Sequence, residues 1–225
     1  MYSEKNREIK YKKIEAVLKD YLGKSVKNFR ILDLGSGSGL IGDYFSNDNR
    51  VSYADISDYR LKKDGNFYNI ISGDVECQDS SFDIIISNMV IEHTGNHEKH
   101  INEIKRLLKD GGIAYFGSPN RIFPIEPHYK IPFVHYFPNK INYLIVKYLS
   151  KYIRFEAPLE NIDLPCYINL KKSINTRFEV KEYSSYILNN PNKFNSQVKI
   201  FSGWPVWLLK NIQFFFPTNI FILKK

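Results

Sequence analysis

The sequence predicts an α/β fold: a mostly parallel sheet with helices on both faces, an antiparallel edge strand near the C-terminus, and a loop-rich cap. Three observations predict it. Short apolar runs alternate with stretches of helical periodicity between residues 29 and 118. Pro119, Pro124, Pro127, Pro132 and Pro138 then interrupt any regular element. Strand patterns return only at 177–183 and 219–224.

In order, residues 4–22 set Ile9, Ile14, Val17, Leu18, Tyr21 and Leu22 at helical spacing among lysines, with Gly23 as the stop signal. Phe29–Leu34 is an apolar run that ends at glycines, which suits a buried strand. A helix is expected over Leu40–Ser46, a strand over Val51–Ile56, a short helix over Ser57–Lys63 and a strand over Tyr68–Ser72. About ten residues then separate this strand from the next, Phe82–Ser87, so the crossover between them reduces to a turn. Helix is expected over Asn96–Lys109 and strand over Ile113–Gly117, with Gly111-Gly112 separating the two. Beyond the prolines, helix returns at Asn139–Tyr152. Arg177–Tyr183 and Asn219–Lys224 then read as strands, with Trp204–Phe216 a helix or apolar segment between them.

At 225 residues the chain suits one domain, 1–225, divided into an N-terminal helical segment (1–28), a core (29–118), a cap insertion (119–176) and C-terminal strands and helix (177–225). The first dozen residues are polar and basic, and no apolar run approaches the roughly 20 residues that span a bilayer. Cys77 and Cys166 have no metal spacing and form no disulfide framework. A cytoplasmic chain, with peripheral contact at the membrane's inner face open to it, is the expectation. The net charge of +8 is segregated: residues 1–30 carry 9 basic and 4 acidic side chains, 31–120 carry 8 and 14, and 121–225 carry 15 and 6. Such asymmetry points to the second half as the part that meets an anionic partner, although a solvated lysine-rich surface gives the same count.

The strongest motif is Ile31-Leu-Asp-Leu-Gly-Ser-Gly-Ser-Gly39, a strand running into a glycine-rich turn and a helix. Gly35 and Gly37 permit close approach of a ligand and unusual backbone angles. Two ligands compete for this turn. Gly37-Ser-Gly39-Leu-Ile-Gly42 spells a dinucleotide pattern, with Asp55 18 residues beyond Gly37 to hold a ribose. Against it, Asp33 inside the strand would repel a nearby pyrophosphate and would attract a cationic sulfonium and an α-amino group.

Asp33-Leu-Gly-Ser-Gly-Ser-Gly39 resembles the first motif of class I S-adenosylmethionine-dependent methyltransferases, and further positions of that family recur in order. Asp55, with Ile56, is similar to the acid that holds the ribose hydroxyls. Ser72-Gly-Asp74, followed by Val75, resembles the motif whose acid receives the adenine amino group. Phe82-Asp-Ile-Ile-Ile-Ser-Asn-Met-Val-Ile-Glu-His93 resembles the fourth-strand motif, with Ser87 and Asn88 beside the methionine part. Leu107-Leu-Lys-Asp-Gly-Gly-Ile113 is like the helix-turn-strand that follows. The resemblance covers 29–118 and implies a Rossmann-like fold, S-adenosylmethionine as cofactor, no metal, and Asp33, Gly35, Ser36, Gly37, Gly39, Asp55, Ile56, Gly73, Asp74, Val75, Ser87 and Asn88 as cofactor-binding residues. Each acid has a plainer role open to it, as a helix cap or Asx turn.

Methyl transfer needs positioning and, for a hydroxyl acceptor, a base. His93 is the candidate base, since it follows the fourth strand and titrates near neutrality; organising that loop is its other reading. The proline-rich run from Ser118 resembles one in bacterial methyltransferases encoded among glycan-assembly enzymes. It nominates Asn120, Arg121, Glu126, His128 and His135 as acceptor contacts, where a rigid self-satisfied loop is the alternative. A basic, aromatic second half suits an anionic small-molecule or glycan acceptor, such as a sugar nucleotide or a phosphorylated glycan, or an anionic membrane surface, and favours O-methylation of a cell-surface sugar precursor over a free neutral metabolite. The runner-up acceptors are a quinone or lipid, with Trp204, Trp207 and Phe214–Phe216 at the membrane interface. No basic helix or aromatic-laced sheet points to nucleic acid. A non-catalytic cofactor-binding subunit is the reading outside enzymes.

Overall fold

In the computed structural model, which describes residues 4–126, 130–151 and 163–225, the chain enters through α1 (Glu4–Leu22). Ile14, Val17 and Leu18 bury one stripe of α1, and Gly23, at φ 66°, ends it by donating its N–H to Lys19 O at 2.9 Å. There follow β1 (Arg30–Leu34), α2 (Leu40–Phe45), β2 (Arg50–Asp55), β3 (Asn66–Ile71), β4 (Asp74–Val75), β5 (Phe82–Asn88), α3 (His97–Leu107) and β6 (Leu108–Pro119). Beyond the prolines lie α4 (Asn139–Leu149), α5 (Tyr167–Asn175), β7 (Glu179–Glu182), α6 (Ser184–Asn189), α7 (Val206–Ile212) and β8 (Thr218–Lys224).

One sheet carries all the strands in the order β4-β3-β2-β1-β5-β6-β8-β7. Strands β3, β2, β1, β5 and β6 run parallel, while β8 runs against both β6 and β7, so the antiparallel C-terminal pair closes that end of the sheet. Consecutive apolar residues in the strands serve both faces in turn. Leu32, Leu34, Ile85, Ala114 and Phe116 pack with Ile101, Ile104 and Leu107 of α3 and with Leu170 and Ile174 of α5. Ile31, Ile84, Ile86, Ile113 and Tyr115 pack with α1, Phe45 of α2 and Ile187 of α6.

The structure departs from the sequence-based expectation at four places. Ser57–Lys63 forms no helix. Asp58 accepts Arg60 N at 3.2 Å and its guanidinium at 2.9 and 3.0 Å, while Arg60, 6% exposed, lies over the rings of Tyr53 and Phe67. These side-chain bonds hold an irregular loop that outcompetes a helix. Gly111-Gly112 lies inside β6 and does not precede it. The pairing jumps from Phe82↔Leu108 to Ile84↔Ile113, and the glycines occupy this bulge. The short crossover after β3 forms a two-residue antiparallel edge strand, β4. Finally, α5 and α6 were not anticipated, and α5, within the expected cap, covers the sheet.

Candidate functional site

The strand order reverses between β1 and β5, where the chain builds β2 and β3 on one side and then returns to the other. Such a switch point leaves a crevice beyond the carboxyl ends of the strands. The turn after β1 begins it. Gly35 and Ser36 donate their N–H groups to Ala54 O at 2.8 and 3.1 Å, and Gly37 donates to Asp55 Oδ2 at 2.8 Å. Asp55 Oδ1 accepts Ile56 N at 2.7 Å. Gly35 has φ 71°, and a Cβ there would stand 2.5 Å from Val90 Cγ2, so no other residue fits.

A cavity of about 230 Å³ opens beside this turn. Gly35, Asp55 and Ile56 line it from the turns after β1 and β2, Ser72, Gly73 and Val75 from the β3–β4 segment, Val90 and His93 from the segment after β5, and Asn96, Lys99 and His100 from the cap and first turn of α3. Of the sequence-nominated residues, Gly35, Asp55, Ile56, Gly73, Val75 and His93 thus come together. Asp33, Ser36, Gly37, Gly39, Asp74, Ser87 and Asn88 do not line it.

Asp33 is 2% exposed and accepts Gly42 N at 2.9 Å, which anchors the first turn of α2. Burial, reinforced by the charges of Asp55 and Asp43, lifts its carboxyl to about 7 against the pull of the Gly42 N–H. Ser36 is buried and its hydroxyl has no hydrogen-bond partner. Gly37 and Gly39, at φ 49° and 80°, shape the turn without facing the cavity. Asp74 projects outward and pairs with Lys99 Nζ at 2.9 Å. Ser87, fully buried, shares a 2.9 Å hydrogen bond with His100 Nε2. Asn88 crowds Gly117, where a Cβ would stand 2.8 Å from Asn88 Oδ1.

Residues 32–116, from β1 into β6, match the family model described as "Methyltransferase domain". The ubiquinone biosynthesis O-methyltransferase of Pelagibacter ubique is 26% identical over 121 residues, 48% of this chain and 50% of that protein, so the chain spans half the length of this relative. Among solved structures, the PH0226 protein of Pyrococcus horikoshii OT3 superposes over 99% of this chain and 92% of its own, with a TM-score of 0.58 and 13% identity. The 1,6-didemethyltoxoflavin-N1-methyltransferase of Burkholderia thailandensis, solved with its substrate and S-adenosylhomocysteine, covers 96% of this chain and 78% of its own, with a TM-score of 0.52 and 11% identity. These structures share the fold.

Every cavity-lining residue lies within the matched residues 32–116. Sequence reasoning missed Val90, Asn96, Lys99 and His100. Asn96 caps α3, accepting Lys99 N at 3.0 Å, and Lys99 lies along Gly73. His100 is 6% exposed, and burial, with the neighbouring His97, lowers its pKa to about 4, so the ring is neutral. A signal for it existed: His100, Ile104 and Leu107 fall at i, i+4 and i+7 on the helix face that is otherwise apolar.

The cap lies beyond the matched residues, and its nominated residues disperse. Asn120 is 2% exposed and gives both amide hydrogens to the backbone, at Phe214 O (2.7 Å) and Phe216 O (2.9 Å), while its oxygen accepts Ile122 N at 3.1 Å. In the structure it braces the cap. His135 is also buried, its Nε2 facing Arg121 O at 3.0 Å, so the proton that this bond requires sits on Nε2, while Nδ1 meets no hydrogen-bond partner. Glu126 is 3% exposed, and its backbone N–H meets Ile131 O at 3.1 Å. His128 lies outside the described residues. Arg121 lines a second cavity, of about 250 Å³, with His97, Asp163, Asn169 and Ser173. There, His97 Nε2 lies 3.0 Å from Asp163 O. Among the described residues no group of three or more His, Cys, Asp or Glu side chains converges as a metal site, and no helix is long and apolar enough to cross a membrane.

Proposed function

We propose that the chain is an S-adenosylmethionine-dependent methyltransferase that O-methylates a sugar or phosphorylated glycan precursor of the bacterial cell surface. The observation that carries the cofactor reading is the cavity at the switch point, with its glycine cradle and Asp55 at the tip of β2. The residues fit that group. Gly35 leaves no volume that a ligand would have to displace, Asp55 presents acceptor oxygens to a pair of hydroxyls, and Ile56 and Val75 offer apolar faces for a flat base. Bound S-adenosylmethionine supplies a methyl group already activated by positive sulfur. His93, among the lining residues, takes the proton from the acceptor hydroxyl.

Arg121 in the second cavity supports an anionic acceptor, because a planar guanidinium pairs with phosphate or carboxylate through parallel hydrogen bonds. Exposed Trp204, Trp207 and Phe215 favour a second reading, in which the acceptor is a quinone or lipid. Radiolabelled methyl transfer to sugar nucleotides, quinone precursors and lipids, with S-adenosylhomocysteine titrated by calorimetry, separates these readings. Transfer to a phosphorylated sugar, with Arg121→Gln raising KM by about tenfold at nearly unchanged kcat, is the expected result. Cofactor binding without transfer to any acceptor would instead indicate a non-catalytic subunit, and uptake of a nicotinamide dinucleotide in place of S-adenosylhomocysteine would overturn the reading.

A further inference from the structure

The stretch from Lys130 to Lys151 contains four lysines and no acidic residue. Its helix, α4, is two-faced. Val146 and Ile145 turn inward onto Val134 and Ile131, forming a small core separate from the two that flank the sheet. The opposite face is exposed and apolar, with Ile141 at 46% and Leu144 at 63% exposure, one helical turn apart. Lys140 and Lys147 stand on that same outward face, with Lys147 Nζ over the Tyr143 ring at 5.6 Å, and Lys151 follows the helix. Phe133 and Phe137, in the turn that leads into α4, add 55% and 46% exposed rings.

Apolar and basic side chains are therefore mixed on one surface. A water-facing helix would separate them from its buried stripe, and a protein-docking groove would show a polar rim around an apolar centre. Mixing them is what an interfacial helix does: aliphatic and aromatic groups enter the acyl boundary while lysine stems extend past them to the headgroups. We propose that the outward face of α4, with Phe133 and Phe137, docks on an anionic membrane surface.

Charge selects this occupant. A second copy of the chain, docked through the same face in two-fold symmetry, would bring the Lys140 and Lys147 charges of one copy onto the same basic face of the other. An anionic lipid surface meets every lysine with opposite charge and asks for no directional hydrogen bond. The placement also has a consequence for the site. The turn before α4 is tied to the segment after β6, through His135 Nε2 at Arg121 O and Tyr136 Oη donating to Ile122 O. That segment leaves the carboxyl edge of the sheet, the edge where the methyl-transfer cavity opens. Docking through α4 brings that edge towards the bilayer, whatever the acceptor proves to be.

The test is co-sedimentation of the full chain with vesicles of mixed phosphatidylglycerol and phosphatidylcholine, set against phosphatidylcholine alone. Two double variants, Ile141→Glu with Leu144→Glu and Lys140→Glu with Lys147→Glu, change only exposed positions, and an unchanged Tm checks that each is folded. The expected result is binding to the anionic vesicles that falls as salt rises and weakens at least tenfold in both variants. Equal binding by wild type and variants, or no preference for the anionic vesicles, would overturn the proposal. So would light scattering that shows a dimer abolished by Ile141→Glu with Leu144→Glu while vesicle binding is absent, because the face would then belong to a second copy.

Discussion

Asp55 holds the turn after β1 and faces the cavity at once, and this double duty decides what its removal does. Its two oxygens bind Gly37 N and Ile56 N, so Asp55→Ala loosens the cradle as well as removing an acceptor. Affinity for S-adenosylhomocysteine is expected to fall by about 1.5–3 kcal/mol, the worth of charge-assisted hydrogen bonds, with the fold retained; calorimetry giving the wild-type affinity would refute the role. His93 lines the cavity from the segment after β5, and His93→Ala is expected to leave that affinity unchanged while slowing turnover on the order of a hundredfold. A rate equal to wild type sinks the base assignment. Residue identity was legible where backbone geometry demanded it, as at Gly35, whose neighbour Val90 admits no side chain. It was not legible for Asp33, because one carboxylate suits a ligand and a helix N-terminus equally. The structure shows the helix role: Gly42 N, in the first turn of α2, donates to Asp33 Oδ2. Nor does a sequence show that Asp74 finds Lys99, 25 residues away, once α3 folds back along β4.

At the scale of elements, the glycines of the turn and of α2 separate two kinds of constraint. Gly37 has φ 49° and open space where a Cβ would be, so Gly37→Ala meets only backbone strain, about 1 kcal/mol. Gly42 has ordinary helical angles, but its Cβ would stand 2.3 Å from Tyr53 Cε1, and Tyr53 is 2% exposed with its hydroxyl bonded to Asp43. Gly42→Ala is therefore expected to cost more, roughly 2–3 kcal/mol, by pushing α2 off β2. Urea unfolding of the two variants checks the order, and a smaller loss for Gly42→Ala contradicts the packing argument. The strands and long helices were readable because burial on both faces of a parallel sheet forces continuous apolar runs, as in Phe82–Ser87, and helical spacing marks α1 and α3. The loop at 57–63 was misread because its Asp58–Arg60 bonds depend on Tyr53 and Phe67, rings supplied by two other strands. A two-residue strand such as β4 has no periodicity to read.

For the molecule as a whole, strand order places two buried titratable groups on opposite sides of the sheet, and they act on stability in opposite directions. Asp33, beneath α2, has an ordinary value of 3.8 and is raised to about 7 by burial and by its acidic neighbours. Between those pH values the folded chain keeps a proton that the unfolded chain has released, so stability falls as pH rises, by about 4 kcal/mol across the window. His100, on α3, is lowered from 6.5 to about 4, chiefly by burial. There the unfolded chain binds the proton first, so stability is complete above pH 6.5 and is lost as pH falls towards 4, by about 3 kcal/mol. The windows overlap between pH 4 and 6.5, and the slopes largely cancel in the wild type. Removing one group exposes the other. Asp33→Asn can still accept the Gly42 N–H and should show stability rising with pH across this range relative to wild type, whereas His100→Asn should show it falling. Urea melts at a series of pH values measure both, and the remaining carboxylates cancel in the difference from wild type. Curves that stay parallel for all three proteins would mean that neither group is held away from its ordinary value, and the neutral ring assigned to the cavity wall would have to be abandoned.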